Sequence, residues 1–190
     1  MRRGARDSQV INNFFTFATI VIITIVLTLY VNYFGEKNSS KVVIPKLQCE
    51  KTTSTKTKVL NQTLLNKSIK ALDKGYYKIE GSYLKALKMK STIEEKISLA
   101  EVNGFFIDSI GVIPKKDIEK FLKVRYELVE TDKKNPKNDK LNAGTLVTTF
   151  RINSKEIFRM TTDFKFLFKN AIKQRVDCTM KVYKNHVQNN

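Results

Sequence analysis

The chain is poor in the residue types that carry chemistry: 190 residues hold one histidine, two cysteines and no tryptophan. The histidine, His186, lies in a polar stretch near the end. No Gly-rich phosphate loop, no G-x-S-x-G, no H-E-x-x-H and no paired-carboxylate motif is present. Asp108, Asp117, Asp132 and Asp163 are scattered over expected turns and outer faces. The expectation is a protein that is not an enzyme and that holds neither metal nor cofactor. Cys49 and Cys178 fit no C-x-x-C and no metal-ligand spacing. In an exported domain they can form a disulfide tying its start to its last segment. Unpaired, they would be small buried apolar residues, and the sequence leaves both readings open.

Acidic residues are also scarce. Eighteen Asp and Glu face 35 Lys and Arg, a formal charge of +17. Lysine outnumbers arginine 28 to 7 and asparagine is abundant, as codon bias in an AT-rich genome would give. The same excess attracts an anionic partner such as a lipid headgroup or a cell-wall polymer.

Charge is missing altogether from Phe14 to Phe34, twenty-one residues. At about 1.5 Å per residue, that run matches a hydrocarbon core of about 30 Å. Tyr30, Tyr33 and Phe34 stand at its far end and Arg2, Arg3 and Arg6 at its near end. The expectation is a transmembrane helix with a cytoplasmic N-terminus. The run is longer than the roughly 7–15 residues of a signal-peptide core, and no small-x-small cleavage site follows it. The chain then divides into a basic tail (1–13), the anchor (14–34), a linker with a candidate first strand (35–58) and an exported domain (59–190). Because the domain is exported, nucleic acid is not an expected partner.

Within that domain, Leu60, Leu64, Leu65, Ile69 and Leu72 form a helical stripe that Asp73-Lys74-Gly75 would stop. From Tyr76 the period becomes two. Tyr77–Tyr83, Ile97–Val102, Phe105–Ile107, Val124–Val129, Leu146–Ile152, Ile157–Met160, Phe164–Phe168 and Val176–Tyr183 read as short strands, with turn signals at Asn103-Gly104 and Asn153-Ser154-Lys155. Leu84–Ile97 and Asp117–Leu122 are the helical exceptions. The fold class expected is mostly β: an antiparallel rolled sheet, a β-jellyroll, after the N-terminal transmembrane helix and a short helix before the roll.

This organisation, with Tyr77–Gly81, Ile97–Gly104 and Leu146–Tyr183 as successive strand units, resembles the LptC/LptA/OstA-like jellyroll family of lipopolysaccharide export. The resemblance implies a single-pass protein of the bacterial inner membrane with a periplasmic domain. Such a protein takes lipopolysaccharide or another anionic lipid from an inner-membrane ABC exporter and passes it to a periplasmic jellyroll protein. By alternation, the residues facing inward are Tyr77, Ile79, Val124, Tyr126, Leu128, Phe150, Ile152, Phe164, Phe166 and Phe168. They read first as core; in a roll that stays open they would line a groove for acyl chains. The competing readings are a single-pass scaffold of a secretion or conjugation apparatus, whose domains put helices before a curved sheet, and a membrane-anchored regulatory partner.

Overall fold

Apolar residues alternating with charged ones build the centre of the molecule. Leu122, Val124, Tyr126 and Leu128 point one way and Lys123, Arg125 and Glu127 the other. The computed structural model describes the backbone of residues 4–34, 44–115, 121–132 and 143–188, in two compact units divided between Val43 and Ile44. Residues 35–43 of the expected linker and 117–120 of the Asp117–Leu122 stretch lie outside the described residues.

The first unit is one helix, α1 (Gly4–Phe34). The hydroxyls of Thr19, Thr24 and Thr28 donate to the carbonyls of Phe15, Ile20 and Thr24, so these polar groups are satisfied within the helix. Among the described residues, however, no helix is long and apolar enough to cross a membrane. The helix starts ten residues before the apolar run and takes in Asp7, Gln9, Asn12 and Asn13. The expected anchor over Phe14–Phe34, and the inner-membrane, single-pass localisation built on it, are corrected accordingly.

The second unit is a five-stranded sheet with helices on one face. Its elements in order are α2 (Gln48–Lys51), β1 (Thr55–Val59), α3 (Gln62–Asp73), β2 (Tyr77–Leu84), α4 (Ile93–Lys96), α5 (Leu99–Ile110), β3 (Leu122–Glu130), β4 (Gly144–Ile152), β5 (Lys155–Phe164) and α6 (Lys169–Gln188). The strand order is β1-β5-β4-β3-β2. All pairs are antiparallel except β2 with β3, whose parallel pairing requires the crossover that α4 and α5 supply. β4 and β5 join through Asn153-Ser154, both with positive φ (45° and 66°), the backbone of a tight two-residue hairpin.

The expectation of a mostly β jellyroll is therefore corrected to a mixed α/β sheet with a helical layer. Ile97–Val102 and Phe105–Ile107, read as strands, belong largely to α5. Ser98 caps that helix: its hydroxyl accepts from Glu101 N (3.3 Å) and the Glu101 carboxylate accepts from Ser98 N (3.0 Å). Asn103-Gly104, read as a turn, lies inside the same helix. Val176–Tyr183 is part of α6, whose Val176, Thr179, Met180 and Tyr183 are buried at helical spacing. The candidate first strand of the 35–58 linker, expected near Lys46–Thr52, is not a strand there: Gln48–Lys51 is the single turn α2, and β1 follows at Thr55–Val59.

The core lies between sheet and helices. Leu65 and Leu72 of α3, Val102 and Phe106 of α5, and Ile172 and Val176 of α6 cover Leu146, Phe150, Phe158, Met160 and Phe164. Tyr183 stacks on Phe150 (4.1 Å between centroids, 14°) and meets Phe158 edge-on (5.5 Å, 90°). Phe106 stacks on Tyr126 at 5.1 Å. Burying each such ring is worth roughly 1.5–3 kcal/mol.

Candidate functional site

The expected groove residues divide into two groups. Tyr77, Val124, Tyr126, Leu128, Phe150, Ile152 and Phe164 are buried, and Ile79 packs half-buried against the same cluster. These eight lie on the sheet face that the helices cover. Phe166 and Phe168 follow the end of β5, are 47% and 65% exposed, and stack on each other at 5.7 Å.

Those two rings belong to a built end of the domain. β2 and β3 finish there, β4 begins and β5 finishes. The segment 85–92 that leaves β2 at this end is held by two carboxylates. Glu130, at the end of β3 and almost fully buried, accepts from Thr92 N (3.1 Å), Thr92 Oγ1 (3.5 Å) and Ala86 N (3.5 Å). Asp132 accepts from Lys88 N (2.8 Å) and Leu87 N (3.2 Å). Burial pushes the Glu130 carboxyl up, but hydrogen bonds from Ser91, Thr92 and Ala86 outweigh it and hold its pKa below the usual carboxylate value. So clamped, the segment presents Leu87 to water with 91% of its surface exposed, and Met89 beside it.

Polar contacts tie both apolar segments to the α4–α5 region. Lys85 pairs with Glu94 of α4 (2.8 Å). The Tyr83 hydroxyl donates to Ile97 O (2.6 Å), and that of Tyr126 to Leu99 O (3.0 Å) and Asn103 Oδ1 (2.9 Å), so the sheet pins the start of α5. Lys169, one residue after Phe168, pairs with Glu101 in the first turn of α5. That ammonium, with the Ser98 amide, holds the Glu101 carboxyl down at about 2. Along the two segments, Leu87, Met89, Phe166 and Phe168 are interleaved with Lys85, Lys88, Lys90, Lys165 and Lys169. Among the described residues, Lys88, Lys90 and Lys165 form no ion pair.

Toward the β1 edge, Cys49 of α2 and Cys178 of α6 form a disulfide with 5.8 Å between their Cα atoms. Beside it lies Arg175, only 8% exposed. Its Nη1 donates to Thr53 Oγ1 (2.7 Å), Thr52 Oγ1 (3.3 Å) and Cys49 O (3.5 Å). Desolvation lowers its pKa.

His186 meets the Phe158 ring at 5.8 Å, and burial lowers its pKa. No group of three His, Cys, Asp or Glu side chains that could hold a metal ion occurs among the described residues.

Sequence reading passed over Leu87, Met89, Glu130 and Arg175. For the first two a signal existed, the alternation of lysine with apolar residues in Lys85–Lys90. Nothing in the sequence marks Glu130 or Arg175, because their roles depend on what the fold packs around them. No family model matches the chain, and no curated protein and no solved structure is detectably similar to it.

Proposed function

We propose that the unit Ile44–Asn190 is a non-catalytic binding domain that docks onto anionic lipid through the end bearing Leu87, Met89, Phe166 and Phe168. The observation that carries this reading is the clamped exposure of Leu87. A segment fastened by two carboxylates, one of them buried, holds an aliphatic side chain in water where a free loop would let it collapse. Apolar tips suit insertion among acyl chains, and adjacent lysines suit headgroup phosphates. A protein interface would favour arginine over lysine, since lysine is depleted at such interfaces. The disulfide suits an oxidising compartment.

Transfer of lipopolysaccharide along a groove, as the family resemblance implied, is not the form this proposal takes. Eight of the ten side chains that would line the groove lie on the sheet face covered by α3, α5 and α6. Docking needs only the exposed end. The test is co-sedimentation of residues 44–190, which contain their own core and the disulfide, with vesicles. Binding to anionic phospholipid vesicles, weak binding to zwitterionic ones and loss on Leu87→Asp with Phe168→Asp support the proposal. Equal binding to both vesicle types, or none, refutes it.

A second reading, a scaffold within a secretion or conjugation apparatus, is favoured by one observation. β2 is an edge strand of eight residues, paired on one side only, and such an edge can accept a partner strand.

A further inference from the structure

Arg175 is a buried cation among neutral oxygens. Its contacts are two threonine hydroxyls and one carbonyl, and among the described residues no carboxylate pairs with it. The nearby acids are engaged elsewhere. Asp177 accepts from Ser109 of α5 and from Lys173 (3.3 Å). Glu50 accepts from Leu47 N (2.8 Å) and Thr57 Oγ1 (3.5 Å). A guanidinium taken from water without an anion carries a desolvation penalty that hydroxyls offset only in part.

Arg175 also lines an open pocket of about 270 Å³ with Cys49, Thr52, Gln174, Asp177, Cys178 and Lys181. Among the described residues only Nη1 is engaged, so Nε and Nη2 retain their donors. Gln174 and Lys181 are exposed on α6 and can donate from the rim. The Thr52 hydroxyl gives its proton to Cys49 O (2.9 Å) and offers none to the pocket. Arginine beside lysine in a notch suits a phosphate-type oxyanion: the guanidinium fork binds two oxygens and the ammonium balances the remaining charge.

We propose that this notch is an oxyanion-binding site in which Arg175 is the principal ligand and Lys181 the second. It stands on observations separate from those behind the lipid-docking end. The oxyanion can be free phosphate or the phosphate of a monoester, and the two are distinguished by titration.

The experiment is a titration of the full disulfide-bonded chain with inorganic phosphate and, in parallel, glycerol 1-phosphate. It is followed by the backbone amide shifts of Thr52, Thr53 and Gln174 at constant ionic strength set with chloride. Saturable shifts are expected, with affinity about tenfold weaker in Lys181→Gln and binding abolished in Arg175→Gln. The tighter of the two titrants identifies the source. Lys181 is exposed, so its variant keeps the fold whatever Arg175→Gln does. Non-saturable shifts identical to those in chloride, or saturation unchanged in Lys181→Gln, would overturn the proposal.

Discussion

Gly81 of β2 lies directly opposite Tyr126 of β3, and the tyrosine ring fills the space a side chain at Gly81 would need. From that position the Tyr126 hydroxyl reaches Leu99 O and Asn103 Oδ1 and fixes the start of α5. Gly81→Ala should destabilise the domain by about 1–3 kcal/mol, because the ring is held at both ends and cannot withdraw. Gly104, in the middle of α5, has nothing within 4 Å of an added Cβ. There Gly104→Ala should stabilise by about 1 kcal/mol through helix propensity alone. Urea unfolding of the two variants, read against the wild type, checks both signs.

The clamp on segment 85–92 should respond to acid. The folded-state pKa of Glu130 is depressed, so its contribution is complete above the unfolded glutamate value of about 4.3 and is lost as pH falls through the lower folded value. Amide hydrogen exchange at Ala86, Leu87, Lys88 and Thr92 should accelerate below that range while the α5 amides stay protected. Glu130→Gln should give the accelerated pattern at neutral pH, since the neutral amide forms weaker hydrogen bonds.

Reduction of Cys49–Cys178 should be costly. The bridge spans 129 positions, and the chain-entropy relation for a loop of that size gives about 5 kcal/mol. The transition midpoint in urea should fall on adding reductant, and Cys49→Ser with Cys178→Ser should unfold at the midpoint of the reduced protein.

Four strands and one helix are readable from the sequence because their local pattern and tertiary surroundings agree, Ile157–Met160 within β5 among them. Val124–Val129, Leu146–Ile152 and Tyr77–Tyr83 alternate and are strands, and the stripe from Leu60 to Leu72 predicted α3, which runs Gln62–Asp73. The errors share a cause. In Val176–Tyr183 the apolar residues fit a period of two and a helical period equally well, and packing against Phe150 and Phe158 decides for the helix. In Ile97–Gly104 the Ser98/Glu101 capping box was the better signal, but the alternation and Asn103-Gly104 masked it. The docking end was half legible: Phe166 and Phe168 were singled out as inward-facing, yet β5 stops at Phe164 and the alternation carries no meaning beyond it. Leu87 becomes notable only once Glu130 and Asp132, more than forty residues away, fasten its segment.

Lipid docking through the Leu87 end can be read out with a single tryptophan. The chain has none, so Leu87→Trp places one reporter at the proposed contact, and Ser82→Trp, on the exposed sheet face, places one away from it. With anionic vesicles a blue shift and quenching by brominated acyl chains are expected at position 87 and no change at position 82, with a much smaller response at position 87 on zwitterionic vesicles. Unaltered emission at position 87 on anionic vesicles, or an equal response at position 82, would contradict it.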